Sequence, residues 1–195
     1  MEAENRTNLF IDFDDTLFDR DTFRGDLFEV MKSLGVSEEE LEQSYRAVYV
    51  DGYAGPLAQL RYIDEHIRKV DLVSAEKKIK TFLLDVSKYL YPETITFLQS
   101  IDRTKYSPQL LTVGGVNFQR SKVMGCDISK YFDLCHFVTE KKVVALKKIV
   151  ARDERFILID DKESELLPVA EYFGGAVVIR ATGGNLLNII LEQHA

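Results

Sequence analysis

The chain has 195 residues, 46% of them hydrophobic and 29% charged, with a formal net charge of −7. This is the make-up of a globular protein, at a length for one domain or a core domain with a modest insertion. The acidic balance argues against a general nucleic-acid or anionic-membrane footprint, which needs basic surface, yet leaves room for a small anion held by a local cation or metal.

Two cysteines, Cys126 and Cys135, form no CxxC pair. That excludes a disulfide scaffold and a structural zinc site, and predicts two reduced, buried thiols in a cytoplasmic protein. The polar start, MEAENRTN, lacks the apolar stretch of a signal peptide. No segment offers the roughly 20 apolar residues of a bilayer crossing. No nucleic-acid or membrane partner is expected, and the oligomeric state is not readable.

The first apolar run, LFIDFD at 9–14, predicts a strand that runs into Asp12, Asp14 and Asp15, with Thr16 close behind. Carboxylates this close repel, and each loses hydration wherever it is covered. A cation or a chemical role has to offset that cost.

From 18 to 90 no strand is predicted, and several amphipathic helices are. Ser37 followed by Glu38, Glu39 and Glu40 reads as a capping box. GPLAQLRYIDEHIRKV (55–70) spaces Leu57, Leu60, Ile63 and Ile67 helically behind Pro56. SAEKKIKTFLLDVSKYL (74–90) puts Ile79, Phe82, Leu83 and Val86 on one stripe. YVDGYAG (49–55) reads as a break between helices that points at a cleft. Tyr45, Tyr49, Tyr53 and Tyr62 are read as packing residues, with one or two facing substrate.

A helix from Pro92 leads into the second strand, QLLTVGG (109–115). Helix-like stretches at 116–125, 142–151 and 163–173 then alternate with CHFVTEKK (135–142), FILIDD (156–161) and AVVIRATGG (176–184). Short apolar runs of this kind fit parallel strands buried on both faces. The alternation predicts a doubly wound α/β sheet, with its active site at the carboxyl ends of the strands. Residues 1–17 and 91–195 are expected to form this core, and 18–90 an inserted helical module.

The predicted strand ends gather Asp12 and Asp14; Thr112 ahead of Gly114 and Gly115; Lys141 and Lys142; and Asp160 and Asp161, with Glu163 and Glu165 following. Carboxylates, a hydroxyl, an ammonium and glycine-freed amides suit phosphoryl transfer to a carboxylate through a hard divalent cation. Either lysine suits the site. Glu163 reads as a helix N-terminal charge, and Glu165 as that or as support for a metal. His66, His136 and His194 share no metal spacing and read as surface or packing residues. Gly183 and Gly184 read as a plain turn rather than an anion-binding one.

On DFDDTL (Asp12, Asp14, Thr16), on TVGGVNFQRSKVMGCDISKYFD from Thr112, and on ILIDDKESE, the chain resembles the haloacid dehalogenase-like superfamily of phosphohydrolases. The resemblance covers 8–20 and about 90–185. It implies the Rossmann-like fold of that superfamily, with 18–90 as a type-1 helical cap. It makes Asp12 the nucleophile that forms an aspartyl-phosphate, and Asp14 the acid/base that also lends its backbone carbonyl to Mg²⁺. Asp161 aligns best with the metal-binding aspartate, with Asp160 either supporting the ligands from behind or serving as an additional ligand. Thr112 and Lys142 or Lys141 stand at the second and third motifs, and Val113 and Gly114 on the substrate-side loop. An aspartate at position 14 favours a phosphatase over a dehalogenase.

The implied substrate is a small phosphorylated metabolite: a sugar phosphate, a nucleotide or a phosphoglycolate-like ester. Three departures stand out. EKKVV lacks the frequent proline, Asp15 replaces a frequent glycine, and Val113 a frequent asparagine. A phosphosugar mutase of the same fold and a non-catalytic binding protein are the alternatives. A signalling receiver domain is disfavoured by the helical insertion and by the lack of a lone aspartate on the third strand.

Overall fold

The computed structural model describes residues 6–48, 55–181 and 185–189. Strand β1 (Thr7–Ile11) is followed by four inserted helices: α1 (Arg20–Lys32), α2 (Glu38–Val48), α3 (Pro56–His66) and α4 (Leu72–Leu83). Then come α5 (Thr94–Ser100), β2 (Tyr106–Val113), α6 (Val116–Gly125), β3 (Leu134–Val138), α7 (Lys142–Ile149), β4 (Phe156–Asp160), α8 (Glu163–Tyr172) and β5 (Ala176–Arg180). All pairings are parallel, in the order β3-β2-β1-β4-β5. This is the expected α/β sheet.

Alternation along β1 sends Leu9 and Ile11 to one face, with Leu110, Ile157 and Ile159, and Phe10 to the other, with Leu111, Leu158, Leu146 and Phe173. Helices α5 and α6 cover the first face and α7 and α8 the second. Burial on both faces holds for β1, β2 and β4 but not for β3 and β5. Those are edge strands, and their side chains are only partly covered. Cys135, on β3, is accordingly half-buried, whereas Cys126 is buried as expected.

Element ends differ from the sequence reading in ways the hydrogen bonds explain. β1 stops at Ile11, and the chain turns through Asp15 (φ 64°), whose N–H donates to Phe18 O at 2.8 Å. β2 starts earlier, at Tyr106, and takes in Pro108. The Pro108 carbonyl accepts from Asp133 N (2.8 Å), so its missing N–H lies on the side where β3 has not yet begun. α5 starts at Thr94 rather than Pro92, because Thr94 N–H closes a turn to Tyr91 O (3.0 Å) while its hydroxyl donates to Leu17 O (2.7 Å). α4 starts at Leu72, where Asp71 caps it through Ser74 N (3.1 Å). Val86 therefore lies beyond α4, although it is buried.

The capping box of α2 is present: Ser37 N donates to Glu40 Oε2 (2.7 Å) and Glu40 N to Ser37 Oγ (3.2 Å). Arg68 Nε, just past α3, donates to Glu40 Oε1 (2.7 Å) and so ties the two helices together. These partners, the Arg68 guanidinium first, hold the Glu40 carboxyl below the usual glutamate range. A depressed carboxyl contributes stability above its unfolded pKa and loses it as pH falls through the folded value. Glu40→Gln is therefore expected to cost about 1 kcal/mol at pH 7. Its thermal unfolding curve should merge with that of the parent below about pH 4.

The insert is rooted on the core by an aromatic cluster. Phe18 stacks on Phe13 (4.7 Å between centroids) and packs edge-on to Phe23 (5.2 Å), which in turn meets Tyr89 (5.3 Å). The ends of α4 and α6 also meet there. A Cβ on Gly125 would lie 2.2 Å from Leu83 O, so only glycine permits the approach.

Candidate active site

Asp12 is the first residue past β1, and its N–H still donates to Ile159 O at 2.9 Å, which fixes it at the sheet edge. Asp160 closes β4 beside it, and Lys142 opens α7. The Lys142 ammonium donates to Asp12 Oδ1 and to Asp160 Oδ2. All three are buried, with exposures of 5%, 0% and 2% for Asp12, Asp160 and Lys142. Asp160 Oδ1 accepts from Lys162 N (2.8 Å), and Thr16 Oγ1 lies 3.4 Å from Asp12 Oδ2.

One ammonium faces two buried carboxylates, so negative charge is in excess. Burial, offset in part by Lys142, pushes the Asp12 carboxyl up to about 7. Burial would also lower the Lys142 pKa, but Asp12 and Asp160 outweigh it and hold that pKa above the ordinary lysine value.

The donor set fits a hard cation. Asp12, Asp160 and Asp161 each place a carboxylate oxygen within 4.8 Å of the others. Among the described residues Asp161 Oδ1 is buried with no hydrogen-bond partner, and Lys162 Nζ lies 3.9 Å away. All-oxygen sites of this kind suit Mg²⁺. The Asp14 side chain is not part of the cluster, because it is held elsewhere.

Asp14 turns toward α6. Lys122 Nζ donates to its Oδ1 (2.5 Å) and Oδ2 (2.8 Å), and Gln119 Nε2 donates to Oδ2 (2.8 Å). The same amide nitrogen reaches Thr112 Oγ1 (2.9 Å) and Val113 O (3.1 Å). Lys122 lies 5.3–5.5 Å from the ring centroids of Phe13, Phe18, Phe23 and Phe118, a wall of π faces. Burial alone would raise the Asp14 pKa, but Lys122 outweighs it and holds the carboxyl below its ordinary value. A Cβ on Gly114 would come within 2.7 Å of Gln119 Cγ, so glycine there admits the glutamine.

A cavity of about 510 Å³ opens between this edge and the insert. Of the residues singled out at the predicted strand ends, Asp12, Asp14, Thr112, Val113, Gly114, Gly115, Lys142, Asp160 and Glu165 line it; Asp161, Lys141 and Glu163 do not. Lys141 is exposed at the N-cap of α7, one residue before the helix turns Lys142 inward, so the structure brings Lys142 alone to the carboxylates. Glu165 caps α7 by accepting from Lys142 N (2.9 Å), a role distinct from a helix N-terminal charge and from support for a metal. Glu163 is exposed, 3.9 Å from Arg180. Asp15 pairs with Arg20 at 2.9 Å.

Tyr45 lines the cavity, whereas Tyr62 stacks on His66. His136 is half-buried against Gln109 Oε1 (2.7 Å). Tyr49, Tyr53, Gly183, Gly184 and His194 lie outside the described residues.

Lys122 and Gln119 lie in the motif stretch from Thr112, where the sequence alone assigns them no role. The available signal was a lysine three residues after a glutamine on a helix whose buried residues are Gln119, Lys122 and Val123. Charged side chains on a buried face need a partner.

The chain shares the haloacid dehalogenase-like fold of several solved structures. The chain is similar to a haloacid dehalogenase-like hydrolase from Burkholderia xenovorans (TM-score 0.71, 21% identity, covering 98% of this chain and 89% of that one). It is also similar to the HAD-hydrolase YfnB from Bacillus subtilis, solved with magnesium (TM-score 0.58, 12% identity, 90% and 86% covered). A third is CbbY from Rhodobacter sphaeroides, solved with phosphate (TM-score 0.54, 17% identity, 90% and 87% covered). No protein-family model matches the sequence, and no curated protein matches it either.

Proposed function

We propose that the chain is a Mg²⁺-dependent phosphohydrolase that cleaves a small phosphorylated metabolite through an aspartyl-phosphate on Asp12. The observation that carries this reading is the buried Asp12–Lys142–Asp160 set opening onto a cavity, with Asp14 two residues along and held by Lys122. Magnesium in YfnB and phosphate in CbbY support it.

The Asp12 carboxylate attacks phosphorus as the ester oxygen leaves. Lys142 stands against Asp12 and faces the charge of the transferring group. The leaving oxygen takes a proton from Asp14. Lys122 favours the ionised form of Asp14, and the incoming phosphate dianion opposes that bias by raising its proton affinity. In the second half, Asp14, now a carboxylate, removes a proton from the water that attacks phosphorus, which frees inorganic phosphate and Asp12. Thr112, held by Gln119, offers its hydroxyl to a phosphoryl oxygen, next to Val113 and Gly114. Mg²⁺ held by Asp12, Asp160, Asp161 and the Asp14 backbone carbonyl would supply further charge neutralisation when bound.

Helices α1–α4, within 18–90, act as a type-1 cap over the core of 1–17 and 91–195. A cavity of about 510 Å³ suits a small metabolite. Among the described residues no helix is long and apolar enough to cross a membrane, and a cytoplasmic location fits the two free thiols.

The test is release of inorganic phosphate from p-nitrophenyl phosphate and a panel of phosphorylated metabolites, with Mg²⁺ and with EDTA. Release that EDTA abolishes and Mg²⁺ restores is expected. No release from any ester, or release indifferent to EDTA, would overturn the reading; an isomerised sugar phosphate in place of free phosphate would mark a mutase.

A further inference from the structure

The cations around the cavity differ in one respect. Lys142 faces Asp12 and Asp160, Lys122 faces Asp14, Arg20 faces Asp15, and Lys162 lies 3.9 Å from Asp161. Arg24 also lines the cavity, but among the described residues no carboxylate pairs with it. Its guanidinium lies 5.1 Å from the ring centroid of Phe28 and 4.8 Å from that of Tyr45. Arg24 is exposed, and cation–π contact with the two rings leaves its N–H donors free for an anion.

Arg24 also lies on the cavity wall one helical turn from Arg20. Arg20, paired to the turn that carries Asp14 and Asp15, is four residues before it on α1, so the two lie roughly 6 Å apart on one helix face. On the same cavity wall, Gln59 of α3 is 3% exposed, and its Oε1 is buried with no hydrogen-bond partner among the described residues. A buried acceptor without a donor is costly, and a ligand hydroxyl would remove that cost.

We infer that the cavity is built for a phosphomonoester whose leaving group carries a second anionic group, carboxylate or phosphate, bound by Arg24, and a hydroxyl that donates to Gln59. This rests on the phosphohydrolase reading and narrows it to a class of substrate. Arg24 is thus a specificity residue for the part of the substrate that does not react.

The test compares kcat/KM within matched pairs: phosphoglycerate against glycerol phosphate, and fructose bisphosphate against fructose monophosphate. The parent chain, Arg24→Gln and Arg24→Lys are each measured. In the parent, the dianionic-plus-anionic member of at least one pair should be preferred roughly 10- to 100-fold, the size of a charge-assisted contact. Arg24→Gln should collapse that ratio to near one, through KM rather than kcat, and Arg24→Lys should recover part of it. The pair that shows the preference identifies the anion as carboxylate or phosphate.

Equal turnover within both pairs, or a preference that survives Arg24→Gln, would overturn the inference and leave the phosphohydrolase reading intact. No turnover of any ester would remove both.

Discussion

Replacing Asp12 by asparagine is expected to abolish phosphate release, lowering kcat by on the order of 10⁴- to 10⁶-fold, as loss of a nucleophile does elsewhere. The amide has nearly the shape of the carboxylate but cannot form an acyl phosphate. The fold should survive. Lys142 keeps its contact with Asp160, and a neutral group replaces a carboxylate whose pKa burial pushes up to about 7. A circular dichroism spectrum and an unfolding midpoint close to those of the parent, with turnover at background, are the expected pair of results. Residual activity within tenfold of the parent would mean that Asp12 is not the group attacked through.

Lys142→Met carries the largest expected stability effect. It leaves Asp12 and Asp160 facing each other, at 5% and 0% exposure, with no cation between them. Removing one partner of a buried ionic set costs about 3–5 kcal/mol, because the remaining charge is stranded. For a chain of this size that lowers the unfolding midpoint by roughly 6–20 °C. Calorimetry in EDTA measures it. Added Mg²⁺ should recover part of the loss, since a cation among the same carboxylates neutralises what the lysine no longer does. Lys141→Met, on an exposed side chain, should stay within about 0.5 kcal/mol of the parent. Equal effects at the two positions would contradict the assignment of Lys142 to the site.

That contrast also shows where sequence ran out. The order of elements was legible because buried parallel strands leave continuous apolar runs such as FILID, and helices leave spaced ones. The convergence of Asp12, Thr112, Lys142 and Asp160 followed from topology, since parallel strands bring their carboxyl ends to one edge. Lys141 and Lys142, however, differ by about 100° of helix phase, and adjacent residues of like type give no clue to which faces inward.

Lys122 and Gln119 were hidden for a related reason. Reading a helix by its apolar stripe assigns its polar residues to solvent, yet α6 buries Gln119 and Lys122 alongside Val123. Glu165 acts through the first N–H of another helix, a partner 23 residues away that no local pattern reveals. In the insert, Tyr45 and Gln59 reach the cavity and Tyr62 does not, which is decided by how α1–α3 pack together.

The most direct measurement is chemical trapping of the intermediate. The protein, turning over a substrate with Mg²⁺, is quenched and reduced with borohydride, which converts an aspartyl phosphate to homoserine, and its peptides are mapped by mass spectrometry. Homoserine at position 12 alone, absent without substrate, is the predicted result. Phosphate release with no residue converted, or conversion at Asp14 or Asp160 instead, would contradict nucleophilic attack by Asp12.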